Sequence, residues 1–233
     1  KGEITTLVDS VEGTAINYAD DVDIARNGRI YFSDASSRYA VHHYKFDLVA
    51  HRPYGRLLVY DPNTKKTTTL LSDLYFANGV AVSPNDDFIL VSETSEYRVQ
   101  KYWLKGDKAG QSEIIIDNLP GFPDNINRGS KGLYWFGLVS PRSKALDALS
   151  NSAFTRKIVQ RLPAFMRPNA QELGHVVAIN DSGEVIHNLQ DPLGMYSHTT
   201  GALEVGDSLY ISSLHETAIG RTVNPNMQLQ VKQ

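Results

Sequence analysis

Three short segments of the chain share a pattern of small oxygen-bearing residues, then an apolar residue, a turn and an apolar strand. They read Asp20-Asp21-Val22, Asn78-Gly79-Val80 and Asp124-Asn125-Ile126. Asp20, Asn78 and Asp124, with Asn125 beside the last, offer carboxylate and amide oxygens but no sulfur or imidazole. Such hard donors select Ca²⁺, Mg²⁺ or Mn²⁺ over zinc or copper. The alternative interpretation is that Asp, Asn and Gly begin these strands because they favour the preceding turns.

The elements that would position these residues are short β-strands. Runs of β-forming residues, separated by clusters of Gly, Pro, Asn and Asp, fall into four groups along the chain. Up to four strands per group, repeating at roughly 45 to 60 residues, is typical of a β-propeller. In a propeller the innermost strand of each blade lines a central channel, so the three segments would converge there. A β-sandwich is the alternative, but the repeated segment favours blades.

One region departs from this pattern of strands. Residues Ser143–Glu172 form an insertion in which apolar residues recur at helical spacing until Pro163 and Pro168, so two short helices are expected there. The insertion is either a packing excursion at a blade edge or a lid over the channel, because long loops often carry binding surface. Met227–Val231 is predicted to be a last strand.

Composition narrows the class of protein. The chain has 233 residues, 41% of them hydrophobic and 21% charged, which is ordinary for a globular domain. A net charge of -3 gives no basic footprint for nucleic acid. The absence of cysteine excludes disulfides, thiolate zinc sites and a Cys nucleophile. No apolar run approaches the roughly 18 residues of a membrane span. Lys1–Asp9 is predicted to be strand rather than leader, and the localisation stays open.

Several longer segments carry a resemblance to a known family. They are Tyr31–Tyr39, Gly55–Asp61, Phe76–Asn85, Phe88–Thr94, Tyr102–Leu104, Asn118–Ile126 and Asp191–Gly194. With these segments the chain resembles the strictosidine synthase-like family, and within it the adipocyte plasma membrane-associated protein branch. The wider superfamily includes paraoxonase and the senescence marker protein/gluconolactonase group. The Pro-Gly-Phe-Pro-Asp-Asn run is the most specific of the matching motifs.

The resemblance implies an all-β, six-bladed propeller of the calcium-dependent phosphotriesterase type, with a divalent metal, commonly calcium, on its axis. Residue by residue, it implies metal ligands at Asp20, Asn78, Asp124 and Asn125. A further Glu ligand would come from a blade that precedes Lys1. About four blades are therefore expected within residues 1–233, as a single domain that is incomplete at its N-terminus. A missing segment or a second chain would complete the ring.

Histidines are the candidates for acid–base chemistry. His198 is the best placed, because it precedes Thr199-Thr200-Gly201, the fourth occurrence of the segment start. Thr200 is the second candidate catalytic residue. It stands where true strictosidine synthase has a Glu, and a hydroxyl cannot replace a carboxylate as a base near neutral pH.

The remaining histidines divide by their setting in the sequence. His42, His43 and His51 are expected in a long loop that overhangs the channel, and His215 follows a strand end. His175 and His187 are expected to be structural residues on strands.

The function expected from these features is a divalent-metal-dependent hydrolase. The metal would polarise an ester or lactone carbonyl or activate water. Tyr75, Phe76, Phe122 and Tyr196 lie near the candidate ligands in sequence and suit an uncharged or aromatic acyl substrate. The alternative is a non-catalytic binding propeller with a structural metal. A strictosidine-type condensation is the third hypothesis, and Thr200 argues against it.

Overall fold

The computed structural model describes residues 2–144, 147–148, 153–161 and 172–228, and four antiparallel sheets radiate from their innermost strands. The four sheets follow one another along the chain, and the innermost strand of each contacts the innermost strand of the neighbouring sheet. This arrangement is that of four consecutive propeller blades. It confirms the predicted all-β propeller over the sandwich.

The strands have the following bounds. A hairpin of β1 (Ser10–Val11) and β2 (Thr14–Ala15) precedes the blades. The first blade has β3 (Ala19–Ile24), β4 (Ile30–Asp34), β5 (Gly55–Asp61) and β6 (Lys66–Leu74). The second has β7 (Ala77–Val82), β8 (Phe88–Glu93), β9 (Arg98–Trp103) and β10 (Ser112–Ile116). The third has β11 (Gly121–Arg128), β12 (Tyr134–Pro141), β13 (Gly174–Ile179) and β14 (Val185–Asp191), and the fourth has β15 (Thr199–Val205), β16 (Ser208–Ser213) and β17 (Gly220–Val223).

Helices lie in some of the connections between strands and after the last strand. The α-helices are α1 (Tyr44–Ala50), α2 (Ala153–Arg161) and α3 (Pro225–Gln228), and 3₁₀ turns span Val41–His43 and Thr94–Glu96. Within the described residues, no helix is both long and apolar enough to cross a membrane.

Apolar layers between neighbouring blades hold the arc together. Every residue of β7 and β8 is buried, since the second blade is covered on both faces. Val80 and Val91 pack towards the first blade, whereas Leu90 packs with Ile126 and Phe136 of the third. A smaller layer joins Trp135 of the third blade to Leu209 of the fourth. Alternate side chains therefore serve opposite neighbours, as the period-two geometry of a strand requires.

The two ends of the arc expose apolar side chains. On the first blade the β1–β2 hairpin covers Phe32 and Leu58 with Val11, but Val22 and Ile24 stay more than half exposed. On the fourth blade Leu203 and Val205 are about as exposed, at 49% and 55%. Each open face is apolar, like the faces that are buried between neighbouring blades, and such a face suits contact with more protein. That a further segment or a second chain completes the ring stays a prediction.

Four expectations from the sequence need correction or restriction. The region of His42, His43 and His51 is a 3₁₀ turn and α1 rather than a long loop, because buried Asp47 ties α1 to Ser36. Residues 2–8 form no strand. Pro225 opens a helical turn where a strand was predicted from Met227, and residues 229–233 lie outside the described residues. In the insertion α2 is confirmed, whereas Ala145, Leu146, Leu149 and Leu162 lie outside the described residues.

Candidate functional site

Each candidate segment lies in a β-bulge of an innermost strand. The register of β3 against β4 shifts between Ala19 and Val22, and that of β7 against β8 shifts between Ala77 and Val80. The same shift falls between Pro123 and Ile126 in β11, and between Thr199 and Gly201 in β15. Asp20, Asn78, Asp124 and Thr200 are thus the bulged residues. A bulge re-aims its side chains out of the strand's alternation, which suits them to a site at the strand end.

Close packing of the innermost strands brings two of these bulges together. A Cβ on Gly79 would overlap the backbone of Asp124 and Ile126, so only glycine permits the approach of β7 to β11. Ser92 Oγ donates to the carbonyl of Asp124 at 2.7 Å, and Thr94 Oγ1 donates to the carbonyl of Pro123 at 2.7 Å. The second blade therefore fixes the backbone that carries Asp124.

The oxygen donors form a buried group with unmet hydrogen-bonding capacity. Asn78 and Asp124 are 4% and 8% exposed, and their side chains share a hydrogen bond. Asn78 Oδ1 has no hydrogen-bond partner in the part of the chain that the structure describes, so Asn78 Nδ2 is the donor in this bond. Asp20 Oδ2 is likewise buried without a partner among the described residues. Two oxygens that would ordinarily cost free energy when buried unpaired are therefore left at one place.

The charges of this group are also uncompensated. Burial raises the pKa of Asp20 to about 7, and the neighbouring Asp21 adds to the shift. Burial raises the pKa of Asp124 to about 8, and the nearby Asp20 adds to that shift. No ion pair of the described residues involves either carboxylate. A cation is the chemical species that would relieve both the desolvation and the mutual repulsion.

The residues present fit a hard divalent cation. Asp20 and Asn78 supply the two unpartnered oxygens, Asp124 supplies a second carboxylate, and Asn125 lies beside it on the same cavity wall. No group of three or more His, Cys, Asp or Glu suited to a metal occurs among the described residues. This set combines two carboxylates with two amides, which is a donor chemistry that Ca²⁺ accepts.

Asp21 has a different role from Asp20, although the two are adjacent. Asp21 Oδ2 accepts a hydrogen bond from the N–H of Val80 at 2.9 Å, and Asp21 Oδ1 accepts one from the N–H of Val22. Two residues further along β3, Asp23 Oδ2 accepts a hydrogen bond from the N–H of Val82 at 2.8 Å. Asp21 and Asp23 therefore connect the first and second blades. Asp21 is bonded across the blade interface, whereas Asp20 Oδ2 has no partner among the described residues.

All six predicted site residues line one cavity of about 1170 Å³: Asp20, Asn78, Asp124, Asn125, His198 and Thr200. Helix α1 contributes Tyr44, Leu48 and Val49 to its wall, and Lys144 and Glu172 flank the insertion at its edge. The cavity is large enough for an organic substrate of several rings or a long acyl chain.

An aromatic position precedes every bulged residue by two. Tyr18, Phe76, Phe122 and His198 occupy this position in the four blades, and all line the cavity. The rings of Tyr18 and Phe76 meet edge to face with centroids 5.5 Å apart. Phe76 and Phe122 were predicted from the sequence to lie near the site, whereas Tyr18 was not. Aligning the four segments two residues further towards the N-terminus would have found it.

Tyr75 and Tyr196 lie away from the cavity wall, contrary to the sequence interpretation. The ring of Tyr75 packs against that of His51 in a tilted arrangement, with centroids 5.0 Å apart. Tyr196 donates its hydroxyl to the carbonyls of Ile211 and Ala218 at 2.8 and 3.0 Å. Neither residue is among those that line the cavity.

His198 is buried within a compact polar group. Its ring stacks on that of His215, with centroids 4.1 Å apart and planes 23° apart. Burial lowers the pKa of His198, and the neighbouring His215 lowers it further. A neutral imidazole near neutral pH can accept a proton. Thr200 Oγ1 is instead hydrogen-bonded to Ser212 Oγ at 2.6 Å.

The other histidines lie outside this group. His42 and His43 are exposed, and their rings contact each other in a tilted arrangement. His51 forms an ion pair with Glu96, at 2.9 Å from Nε2 to Oε1. On the strands, His175 Nε2 bonds Asn188 Oδ1 at 2.8 Å, and His187 stacks on Trp135. His198 and His215 are therefore the histidines that line the candidate site in the described part of the chain.

Solved structures confirm the fold. Gluconolactonase XC5397 from Xanthomonas campestris superposes with a TM-score of 0.57 at 16% identity, covering 88% of this chain and 57% of that one. The calcium-binding protein regucalcin from Agrobacterium tumefaciens superposes with a TM-score of 0.54 at 16% identity, covering 92% and 58%. At these identities the similarity shows a common propeller architecture.

Sequence comparison identifies the family. Residues 20–107 match the family model described as strictosidine synthase. Protein STRICTOSIDINE SYNTHASE-LIKE 13 of Arabidopsis thaliana is 39% identical over 198 residues, which cover 83% of this chain and 49% of that protein. Adipocyte plasma membrane-associated protein of Bos taurus is 34% identical over 226 residues, which cover 91% and 54%. The chain spans about half the length of the curated relatives that it matches. It carries a strictosidine synthase domain and belongs to the strictosidine synthase-like family.

Proposed function

We propose that the protein is a divalent-metal-dependent hydrolase, with Ca²⁺ as the expected ion, that acts on an ester or a lactone. The observation that carries this proposal is the pair of buried, unpartnered oxygens, Asp20 Oδ2 and Asn78 Oδ1, in the same cavity as a buried imidazole. A metal-binding group and a proton acceptor in one cavity are the two components that acyl hydrolysis needs.

Different residues of the chain have different roles in the proposed reaction. Asp20, Asn78, Asp124 and Asn125 would hold the cation, which when bound would polarise the substrate carbonyl and stabilise its oxyanion. His198 accepts the proton of the attacking water. The rings of Tyr18, Phe76 and Phe122 contact the apolar part of the substrate and exclude bulk water.

One similarity and one difference support this proposal. Structures of the same architecture include one named as a gluconolactonase and one named as calcium-binding. Thr200 stands where a strictosidine synthase requires a carboxylate, and it bonds Ser212 rather than an acidic group. The proposal is therefore hydrolysis rather than strictosidine-type condensation, although the family takes its name from that reaction.

The test is turnover of phenyl acetate and a panel of lactones by the purified protein. We expect EGTA to abolish hydrolysis and added Ca²⁺ to restore it. An absence of metal-dependent turnover on every substrate would contradict the proposal.

A calcium-binding propeller without catalysis is the competing function, and the regucalcin similarity favours it as an alternative. The two are separated by His198→Ala. The hydrolase proposal expects this variant to bind Ca²⁺ normally while turnover falls by roughly 10²- to 10⁴-fold, the usual contribution of a positioned general base. Full turnover in this variant would remove His198 from the mechanism.

A further inference from the structure

The side chains of Ser197 and Glu216 form a short hydrogen-bonded chain that ends at His198, and the proposed mechanism does not use it. Ser197 Oγ lies 3.0 Å from His198 Nδ1 and 3.4 Å from Glu216 Oε1. The N–H of Ser197 also donates to Glu216 Oε1, at 3.2 Å. Ser197 and His198 are each 5% exposed, and Glu216 is half-buried.

The hydrogen-bond capacities assign the direction of this chain. In the contact with Glu216 Oε1 the Ser197 hydroxyl is the donor, so its single proton points towards Glu216. Ser197 Oγ must then accept from His198 Nδ1–H. In a neutral imidazole, a proton on Nδ1 leaves Nε2 as the bare nitrogen. His198 makes no other side-chain hydrogen bond with the described residues, so Nε2 is left to meet a substrate or water in the cavity.

The backbone is held in an unusual conformation at the same place. His198 has a φ of 52°, in the left-handed region that non-glycine residues seldom adopt. Two hydrogen bonds maintain it: the N–H of Leu214 donates to the carbonyl of His198 at 3.1 Å, and Ser213 Oγ donates to the carbonyl of Ser197 at 2.6 Å. Strained residues that the surrounding structure fixes are concentrated at functional sites.

We propose that Ser197 and Glu216 are positioning residues, which hold His198 in the Nδ1–H tautomer so that its bare Nε2 accepts the proton in hydrolysis. This inference rests on the proposed function. In the step, the water oxygen bonds to the carbonyl carbon while the water proton passes to Nε2 and the carbonyl electron pair moves to oxygen. Collapse of that adduct breaks the ester C–O bond, and the leaving alkoxide takes the proton from Nε2. Ester or lactone and water become acid and alcohol, with no redox change.

The groups that face His198 determine whether it is ready to accept a proton. His215 stacks on one face of the ring, and Glu216 and Glu172 bring negative charge from neighbouring segments. Glu216 acts on the tautomer of His198 through the Ser197 hydroxyl.

The test uses Ser197→Ala, Glu216→Ala and the conservative Glu216→Gln in the purified protein. The tautomer of His198 is read from two-bond ¹H–¹⁵N correlations of histidine-labelled protein, with and without Ca²⁺, so this readout does not depend on turnover. We expect Nδ1–H in the wild type and a shift to Nε2–H in Ser197→Ala. Ser197→Ala should also lower kcat by roughly 10- to 100-fold with KM unchanged, a fraction of a general base's whole contribution. Glu216→Gln, which keeps an acceptor oxygen, should recover part of the activity that Glu216→Ala loses.

Ser130→Ala is the matched control. Ser130 Oγ donates to Glu204 at 2.6 Å, another Ser–Glu hydrogen bond, but Ser130 does not line the cavity. Its removal should leave kcat and the His198 tautomer unchanged. An Nε2–H tautomer in the wild type, or an unchanged tautomer in Ser197→Ala, would overturn the inference, as would a rise in KM at constant kcat. If no substrate is hydrolysed, the proposed function fails, while the tautomer measurement still tests the hydrogen-bonded chain.

Discussion

Asn78 and Asp124 come from neighbouring blades, and their side chains share a hydrogen bond that leaves Asn78 Oδ1 without a partner. The bond orients both groups before any ligand arrives. An amide that donates to a carboxylate necessarily turns its own oxygen away, so the pair presents oxygen on both sides of the interface. Such preorganisation reduces the free energy that a cation would spend on ordering its ligands.

Replacing Asp124 with Asn tests this pair most directly. The variant keeps the size of the side chain but removes one of the two anionic ligands, so we expect calcium affinity to fall at least tenfold. Isothermal titration calorimetry gives the affinity. The difference in Tm between EGTA and excess Ca²⁺ should shrink in parallel, because a ligand stabilises only the fold that binds it. Unchanged affinity in a folded variant would place the cation elsewhere.

Asp20 and Asp21 are adjacent carboxylates, and replacing each of them with alanine is predicted to have a different effect. Asp20→Ala should weaken calcium binding and leave the stability of the metal-free protein unchanged or higher, since it removes an unpaired buried carboxylate. Asp21→Ala should leave calcium affinity within a few-fold. It should instead cost roughly 1–3 kcal/mol in unfolding free energy, because the buried N–H of Val80 loses its acceptor. Urea denaturation and calorimetry measure the two quantities, and the reverse pattern would exchange the two roles.

The stability of the metal-free protein should depend on pH through Asp20 and Asp124. Their pKa values rise from 3.8 to about 7 and about 8 on folding. The folded state therefore binds these protons more tightly than the unfolded state, and the resulting stabilisation is complete below pH 3.8 and is lost as pH rises through 7 and 8. Thermal unfolding in EGTA should show Tm falling as pH rises from about 4 to about 8 and levelling off above that, and Ca²⁺ should reverse the decline. A slope that persists in Asp20→Asn/Asp124→Asn would assign it to other groups.

His215 should tune the pH dependence of turnover. Its charge helps to lower the pKa of His198, after the larger effect of burial. His215→Phe keeps a stacked ring without the charge, so the pKa of His198 should rise and the acidic limb of kcat/KM should move to higher pH. His42→Phe is the control, since His42 is exposed and does not line the cavity. A limb that stays in place, or moves to lower pH, would show that His215 does not influence the base.

Much of the propeller was predictable because its signals are local. Strands such as Phe88–Glu93 follow from β-forming residues between turn residues, and the repeat of the segment start follows from equivalent positions in successive blades. Helix α1 was not predictable in this way. Its burial against Ser36 through Asp47 is a tertiary contact, and short helices form mainly because of such packing.

The sequence by itself determined the donor chemistry at Asp20, Asn78, Asp124 and Asn125, the aromatic or imidazole ring two residues before each bulge, and the hydroxyl at Thr200. These are properties of residue types at a fixed spacing. Only the tertiary structure decided between Asp20 and Asp21, because the difference is a hydrogen bond from Val80 on another blade, 59 residues away. It also decided which oxygens stay unpartnered and that Glu216 reaches His198 through Ser197. Hydrogen bonds between side chains far apart in sequence depend on how the blades pack against each other. The spacing of residues along one strand therefore does not predict them.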